Sequence, residues 1–443
     1  MRLLNSLTLL SALHAPLPVK AGSEQRHLQQ QEQQPMQNVD VTHDERLTGR
    51  APPPPLQSTE PPGVSKPLFS SLERAARLVD ISYCVGTTGI SPPFSCVSRC
   101  KDFPSLHLER TWNTGVLMSD SCGYIAVDHG PQGATDDGKE IIVAFRGTYS
   151  ITNTIVDLST VPQEYVPYPG NGDRDDDPND QPSDDPPPRC ANCTVHTGFM
   201  SSWRAARDVV IPALRSARDR HRGYRVHLIG HSLGGAVAAL AALELRLGLG
   251  WKDVRVTTFG EPRVGNAALA RYIDAAFGLN ATAPGTEDIQ YRRVTHIGDP
   301  VPLLPLTEWG YRSHAGEVYI AKSDLPPGPG DLRLCRGDAD PECMAGAETE
   351  DWLGKAMGWL RRGRKTWWLG GPRQEDEVVV ENAGELGPRG FPARLKLWQL
   401  LFAHRDYFWR LGLCLPGGDP ADWWREKYNF TEPMDVGLEV GDL

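Results

Sequence analysis

Features that would place a protein in a membrane or on nucleic acid are missing from this sequence. Acidic residues outnumber basic ones by 56 to 46, and the formal net charge is −10. This balance argues against nucleic acid as a partner, because a phosphate backbone attracts basic surfaces. After the first 21 residues, no apolar run is long and charge-free enough to span a bilayer, so we expect no transmembrane anchor.

The nine cysteines lack the arrangement that a zinc site or a thioredoxin-like centre would need. Cys190 and Cys193 form a C-x-x-C motif, but no second such motif exists, and its flank is acidic and proline-rich. Close spacing instead predicts short disulfides in an oxidising compartment. The candidate pairs are Cys96 with Cys100, Cys190 with Cys193, and Cys335 with Cys343.

The N-terminus has the layout of a secretory signal peptide over residues 1–21. One basic residue precedes a mostly apolar run from Leu3 to Leu13, and small residues follow, with cleavage expected after Ala15 or Ala21. A short amphipathic helix is the alternative interpretation. Secretion would suit the three N-x-[ST] triplets, which are candidate glycosylation sites. They begin at Asn192, Asn280 and Asn429.

Composition divides the rest of the chain. Residues 22–65 are rich in Gln, Glu, Pro and Ser and are predicted to be a disordered propeptide or linker. Residues 66–418 form the predicted folded domain, with insertions at 163–189 and 346–395, and 419–443 form a tail. Within the domain, strand-like segments such as "KEIIVAFRG" and "YRVHLIG" alternate with helical ones such as "NAALARYIDAAFG". This alternation predicts an α/β fold with a mostly parallel sheet covered on both faces.

The segment "LIGHSLGGAVAAL" places Ser232 between Gly230 and Gly234, where a predicted strand meets a predicted helix. That is the context of a nucleophile elbow, in which small neighbours permit a tight turn. A simple packing junction is the alternative. The backbone N–H of Leu233 would donate to an oxyanion, and Thr148 in "AFRGTYS" would supply the second donor.

A serine nucleophile needs a base and an orienting carboxylate, in the chain order Ser, Asp or Glu, His. Asp299 follows a predicted strand, where open α/β sheets place functional groups. The order then excludes His296, and His314 lies too close to Asp299 along the chain to return to the serine. His404, in "LLFAHRDYFWRLGLC", is therefore the predicted base. No metal or organic cofactor is required, since protein groups supply both proton transfer and charge stabilisation.

Six motifs occur in the order found in secreted fungal lipases of the class 3 type, which this chain resembles from about Ser82 to Leu415. They are "FRGTYS", "HTGFMSSW", "GHSLGG", "FGEPRVGN", "THIGDPVPLLP" and "HRDYF…GLC". The resemblance implies an α/β-hydrolase fold with a lid, triacylglycerol lipase activity, and a triad of Ser232, Asp299 and His404. It places Thr148 and Leu233 at the oxyanion hole. It also implies a Cys84–Cys414 disulfide, which leaves Cys122 unpaired.

Two segments bear on the substrate. In "SITNTIVDLST", residues 150–160, Ile151, Ile155 and Leu158 share one helical face, which predicts a lid or an ordinary helix packed on the core. The insertion "DWLGKAMGWLRRGRKTWWLGG" combines four tryptophans with four neighbouring basic residues. It would lie on a lipid–water interface or form a flap with its tryptophans buried.

These observations favour a secreted esterase that hydrolyses acylglycerols at an oil–water interface through an acyl-enzyme on Ser232. A feruloyl esterase acting on soluble aromatic esters is the first alternative, because residues 150–160 lack tryptophan. The second is a non-catalytic protein that binds lipid surfaces on a hydrolase scaffold. The oligomeric state stays open.

Overall fold

A computed structural model of the protein describes residues 63–115, 120–130, 138–148, 158, 165–167, 190–279, 287–346 and 403–416. All of them belong to the compact unit Glu60–Leu443. The predicted signal peptide and tail lie outside the described residues, as do most of the predicted propeptide, of the lid segment and of both insertions. These assignments stay predictions.

Four α-helices are described, and local capping residues mark the start or end of two of them. Their bounds are α1 Lys66–Ser82, α2 Thr197–Arg220, α3 Leu233–Leu243 and α4 Ala267–Phe277. The hydroxyl of Ser65 caps α1 by accepting the Leu68 N–H at 3.2 Å. Asn266 caps α4, which ends at Gly278 in the left-handed conformation.

Twelve strands are found among the described residues. Their bounds are β1 Leu106–Asn113, β2 Cys122–Asp128, β3 Glu140–Phe145, β4 Tyr165–Pro167, β5 Thr194–His196, β6 Arg225–His231, β7 Val254–Phe259, β8 Gly265–Asn266, β9 Tyr291–His296, β10 Tyr311–Arg312, β11 Glu317–Ile320 and β12 Leu332–Leu334. Eight form one sheet in the order β1-β2-β3-β6-β7-β9-β11-β12. The pairs from β3 to β11 are parallel, and those at both edges are antiparallel.

Helices cover both faces of this sheet. Ile141, Val143 and Phe145 of β3 belong to one apolar core, which includes residues of α2, α3 and α4. The intervening Ile142 and Ala144 belong to the other, with α1 and the loop 403–416. Alternation along a strand sends successive side chains to opposite faces, so both faces must be apolar. The predicted fold class, a mostly parallel sheet with helices on both faces, is confirmed.

Among the described residues, one disulfide joins distant parts of this frame and three close short loops. The structure contains Cys84–Cys414, Cys96–Cys100, Cys190–Cys193 and Cys335–Cys343. Cys122 is a free thiol and is buried. The first of these bonds ties the end of α1 to the loop that carries His404. No helix within the described ranges combines the length and the apolarity that crossing a membrane requires.

Candidate active site

Ser232 lies on a sharp turn between β6 and α3. Its backbone adopts φ 58° and ψ −131°, a conformation that residues other than glycine rarely take. The turn is held because the Ser232 N–H donates to the carbonyl of Phe259 at 2.9 Å, and the Gly235 N–H donates to the Ser232 carbonyl at 2.8 Å. The side chain is fully buried. This geometry is that of a nucleophile elbow.

The glycines around the serine are required by close backbone approach. A Cβ at Gly230 would lie 2.2 Å from the Gly234 carbonyl oxygen, and a Cβ at Gly234 would lie 2.4 Å from the Phe145 carbonyl oxygen. Both distances are shorter than any normal van der Waals contact. The spacing G-x-S-x-G therefore lets β6, α3 and the end of β3 meet at Ser232.

Asp299 and His404 meet although 105 positions separate them along the chain. The Nδ1 atom of His404 lies 3.0 Å from each carboxylate oxygen of Asp299. Because the carboxylate only accepts, Nδ1 carries the proton, and Nε2 is the free basic nitrogen of the neutral ring. Within the described part of the chain, neither His404 Nε2 nor Ser232 Oγ has a hydrogen-bond partner, and both are buried.

His404 also contacts the residue that precedes Ser232. The imidazole of His231, which directly precedes Ser232, stacks on the imidazole of His404 with ring centroids 4.7 Å apart. A neutral imidazole next to a serine is able to remove the hydroxyl proton, and the carboxylate stabilises the imidazolium that results. In structures without substrate, the bond from serine to base is often long, so these positions suit acyl transfer.

The structure adds three residues that the sequence analysis did not single out. Tyr407 donates its hydroxyl to Asp299 Oδ2 at 2.5 Å, and the Val301 N–H donates to Oδ1 at 2.9 Å. Burial and the neighbouring carboxylate keep the pKa of Tyr407 well above its usual range, so it remains a donor. Gly260 has a positive φ of 58°, and a Cβ added there would lie 2.8 Å from His404 Cε1. The signal for Tyr407 was its place three residues after the predicted base.

The two rejected histidines bond elsewhere. His296 contacts the carbonyl of Lys322 through Nε2 at 3.0 Å. His314 contacts the carboxylate of Glu261 through Nε2 at 3.0 Å and the carbonyl of Ala315 through Nδ1 at 2.7 Å. Both are buried, and these hydrogen bonds of their rings go to groups other than the Asp299 carboxylate.

The predicted oxyanion donors flank the same turn. Leu233 is the first residue of α3, whose N-terminus carries partial positive charge. Thr148 is nearly buried and follows Gly147, where a Cβ would lie 2.9 Å from the Cβ of Ser232. The loop after β3 thus runs against the nucleophile, which is where a second donor is needed.

Other predicted site residues are only partly described. Leu158 is fully buried and packs in the apolar core that includes residues of α2, α3 and α4. Ile151 and Ile155 lie outside the described residues. Asn192 is exposed, while Asn280 and Asn429 also lie outside. In the described ranges, no three His, Cys, Asp or Glu side chains converge as a metal site would require.

Several known proteins are similar to this chain in sequence. The class 3 lipase family matches residues 142–309. Secreted mono- and diacylglycerol lipase 2 of Gibberella zeae is 56% identical over 386 residues, covering 86% of this chain and 90% of that protein. Lipase A of Sodiomyces alcalophilus is 54% identical over 390 residues, with the same two coverages of 86% and 90%.

Solved structures agree with these relatives. The Lip2 lipase of Yarrowia lipolytica superposes with a TM-score of 0.58 at 27% identity, covering 81% of this chain and 99% of that one. A triacylglycerol lipase whose catalytic centre is a serine protease triad superposes with a TM-score of 0.50 at 25% identity, covering 80% and 98%. The chain therefore belongs to the class 3 lipase family and is a carboxylic ester hydrolase of the acylglycerol lipase type.

Proposed function

We propose that this lipase cleaves mono- and diacylglycerols, with Ser232 as nucleophile, His404 as base and Asp299 as orienting carboxylate. The observation that carries the assignment is the contact of His404 Nδ1 with both oxygens of Asp299, beside the buried elbow of Ser232. The substrate class is supported by the relative from Gibberella zeae, which is named a mono- and diacylglycerol lipase and shares 56% identity.

The reaction follows from these positions. His404 Nε2 takes the proton of Ser232 Oγ, and the oxygen attacks the ester carbonyl carbon. The backbone N–H groups of Leu233 and Thr148 bind the oxyanion of the tetrahedral intermediate. Collapse breaks the ester bond, and the leaving glycerol oxygen receives the proton from His404. Water, deprotonated by the same nitrogen, then hydrolyses the acyl-enzyme and releases the fatty acid.

The remaining assignments complete the proposal. The names of the relatives support secretion, so residues 1–21 act as the signal peptide and the enzyme works outside the cell, with 22–65 preceding the domain. Residues 150–160 act as the lid over the site. The N-x-[ST] triplets carry glycans. Each assignment rests on sequence pattern.

Hydrolysis of emulsified monoolein, diolein and triolein and of soluble methyl ferulate tests the proposal. The secreted protein is compared with Ser232→Ala and with Ser71→Ala, a half-buried serine of α1 whose hydroxyl donates to the Leu68 carbonyl at 2.9 Å. We expect cleavage of the mono- and diester, unchanged in Ser71→Ala and lost in Ser232→Ala. Removing the nucleophile of a serine hydrolase costs about a million-fold in kcat.

The other outcomes contradict particular parts of the proposal. Faster cleavage of triolein would make the enzyme a triacylglycerol lipase. Cleavage of the ferulate alone would identify a feruloyl esterase. Lipid binding that persists in Ser232→Ala, with no ester cleaved by the parent, would identify a non-catalytic surface protein.

A further inference from the structure

Two buried residues outside the triad connect α1 to the backbone of the base. The hydroxyl of Tyr83 lies 2.5 Å from Nδ1 of His231. On the other side of the ring, Nε2 of His231 lies 2.8 Å from the carbonyl oxygen of His404. Tyr83 directly follows α1, and His231 directly precedes Ser232. The three residues therefore form one hydrogen-bonded chain between α1, the elbow and the base.

The carbonyl oxygen of His404, the last group of this chain, fixes which atom donates in each hydrogen bond. A carbonyl oxygen only accepts, so Nε2 of His231 must carry a proton and donate it. If His231 is neutral, Nδ1 has no proton and must accept, which makes the Tyr83 hydroxyl the donor. Tyr83 then donates to His231, and His231 donates to the His404 carbonyl.

Burial keeps both members in these protonation states. Burial, with the adjacent His404 adding to it, holds the pKa of His231 well below its usual range, so the ring is neutral in the working range of a hydrolase. Burial raises the pKa of Tyr83 to about 12, so its hydroxyl keeps its proton. A second cation stacked on the base would oppose the imidazolium that forms during the reaction, and a neutral His231 avoids this.

The hydrogen-bonded chain also lies against the loop after β3 that carries Gly147 and Thr148, here called the oxyanion loop. A Cβ on Gly147 would lie 2.5 Å from the Tyr83 hydroxyl and 2.9 Å from the carbonyl oxygen of His231. Gly147 directly precedes Thr148, the proposed oxyanion donor. The Tyr83 hydroxyl thus lies where the oxyanion loop, the elbow and the base loop approach one another.

We infer that Tyr83 and His231 are positioning residues, which set the place of the His404 backbone relative to Ser232 and Thr148 through this directional chain. The inference rests on the proposed role of His404 as the base. Neither residue exchanges a proton with substrate. Their effect is to hold the imidazole in line with Ser232, and a displacement of about 1 Å can cost about a hundredfold in rate.

The chain makes a specific demand on residue 231, which must accept on one side and donate on the other. A glutamine side chain has a carbonyl acceptor and an amide donor, so His231→Gln can keep both bonds, whereas His231→Leu keeps neither. Tyr83→Phe removes only the donor, after which the His231 proton can move to Nδ1 and leave Nε2 facing the His404 carbonyl as a repelling lone pair.

The experiment measures kcat and KM on a soluble short-chain ester, together with Tm, for Tyr83→Phe, His231→Gln and His231→Leu. Tyr124→Phe is the matched control: it also removes one buried hydroxyl at α1, where Tyr124 donates to the Leu78 carbonyl at 2.8 Å. We expect kcat to fall about tenfold in Tyr83→Phe and further in His231→Leu, with KM changed less than about twofold. His231→Gln should recover most of the loss. The control should lower Tm alone.

The inference is wrong if Tyr83→Phe behaves like Tyr124→Phe, or if His231→Gln is as slow as His231→Leu. Nitrogen-15 NMR of the histidine rings supplies a readout that needs no turnover. It should show the Nε2–H tautomer of His231 in the parent protein, and the Nδ1–H tautomer or a charged ring would overturn the inference even in an active enzyme. If the parent cleaves no ester, the proposed function fails, while the NMR result still decides the direction of the chain.

Discussion

Cys414 is bonded to Cys84, which lies 330 positions earlier in the chain. The same loop carries Trp409, whose indole ring contacts two guanidinium groups, with its centroid 4.3 Å from Arg99 and 4.9 Å from Arg77. It also donates the Gly412 N–H to the Asp80 carboxylate at 2.7 Å. The loop that carries His404 is therefore fastened to α1 and its neighbouring loop by a covalent bond, two cation–π contacts and a hydrogen bond.

Removing this disulfide should destabilise the protein more than removing a local one. In the chain-entropy account, a closed loop of this size stabilises the fold by about 6 kcal/mol, and a loop of a few residues by about 2 kcal/mol. We expect the double variant Cys84→Ser/Cys414→Ser to lose that larger free energy of unfolding, measured by urea denaturation. The matched control is Cys96→Ser/Cys100→Ser, whose partners are four positions apart. Equal losses would contradict the prediction.

Adding one methyl group at Gly260 should impair catalysis far more than adding one at a glycine with a similar φ and no neighbours. A Cβ there would meet His404 Cε1 at 2.8 Å and Asp299 Oδ2 at 3.0 Å, so the pair must shift. We expect Gly260→Ala to lower kcat about a hundredfold. Gly278→Ala is the control, because Gly278 has a similar positive φ of 65° but a Cβ there would meet nothing within 4 Å. It should cost about 1 kcal/mol of stability and leave kcat unchanged. Comparable kcat values for the two variants would contradict the prediction that contact with His404 and Asp299 lowers kcat.

Substituting the two late histidines should separate the base from a structural residue. His404→Gln removes the nitrogen that accepts the serine proton, so hydrolysis should fall by at least about a thousandfold. His314→Gln weakens the contact with Glu261, which is buried at 1% exposure, and should lower Tm while activity remains. Initial rates on monoolein and melting curves are the measurements. Loss of activity in a fully folded His314→Gln variant would reassign the base.

Acid should destabilise the fold partly through His196. Its Nδ1 accepts the Phe199 N–H at the start of α2, and burial lowers its pKa to about 4 from 6.5. The folded state therefore favours the neutral ring, so this contribution is complete above pH 6.5 and is lost as the pH falls toward 4. A shift of this size is on the order of 3 kcal/mol. His196→Asn keeps a capping side chain but does not titrate, so its unfolding free energy should fall less over this range. Parallel slopes for the two proteins would exclude His196 as the cause.

The sequence predicted those parts of the fold and site that depend on neighbouring residues. Alternating apolar segments indicated the order of strands and helices, because side-chain periodicity of 2 or 3.6 reports which face is buried. Gly230, Ser232 and Gly234 indicated the elbow, because its tight turn requires small residues at fixed positions within five consecutive residues. Asp299 was selected by its place after a predicted strand, and His404 by chain order and by the nearness of His314 to Asp299 along the chain. The structure brings the side chains of Asp299 and His404 within 3.0 Å.

Tertiary structure decided the contacts that no local pattern records. Tyr407 on the acid, Gly260 against the base, and the chain from Tyr83 through His231 join residues that lie far apart in sequence. A buried tyrosine or histidine in the sequence is compatible with many packing roles, because its partners depend on which strands pair and where a loop is fastened. The residue types that perform the chemistry were thus determined by the sequence, whereas their distances, tautomers and supporting hydrogen bonds were determined by the parallel sheet and the anchored C-terminal loop.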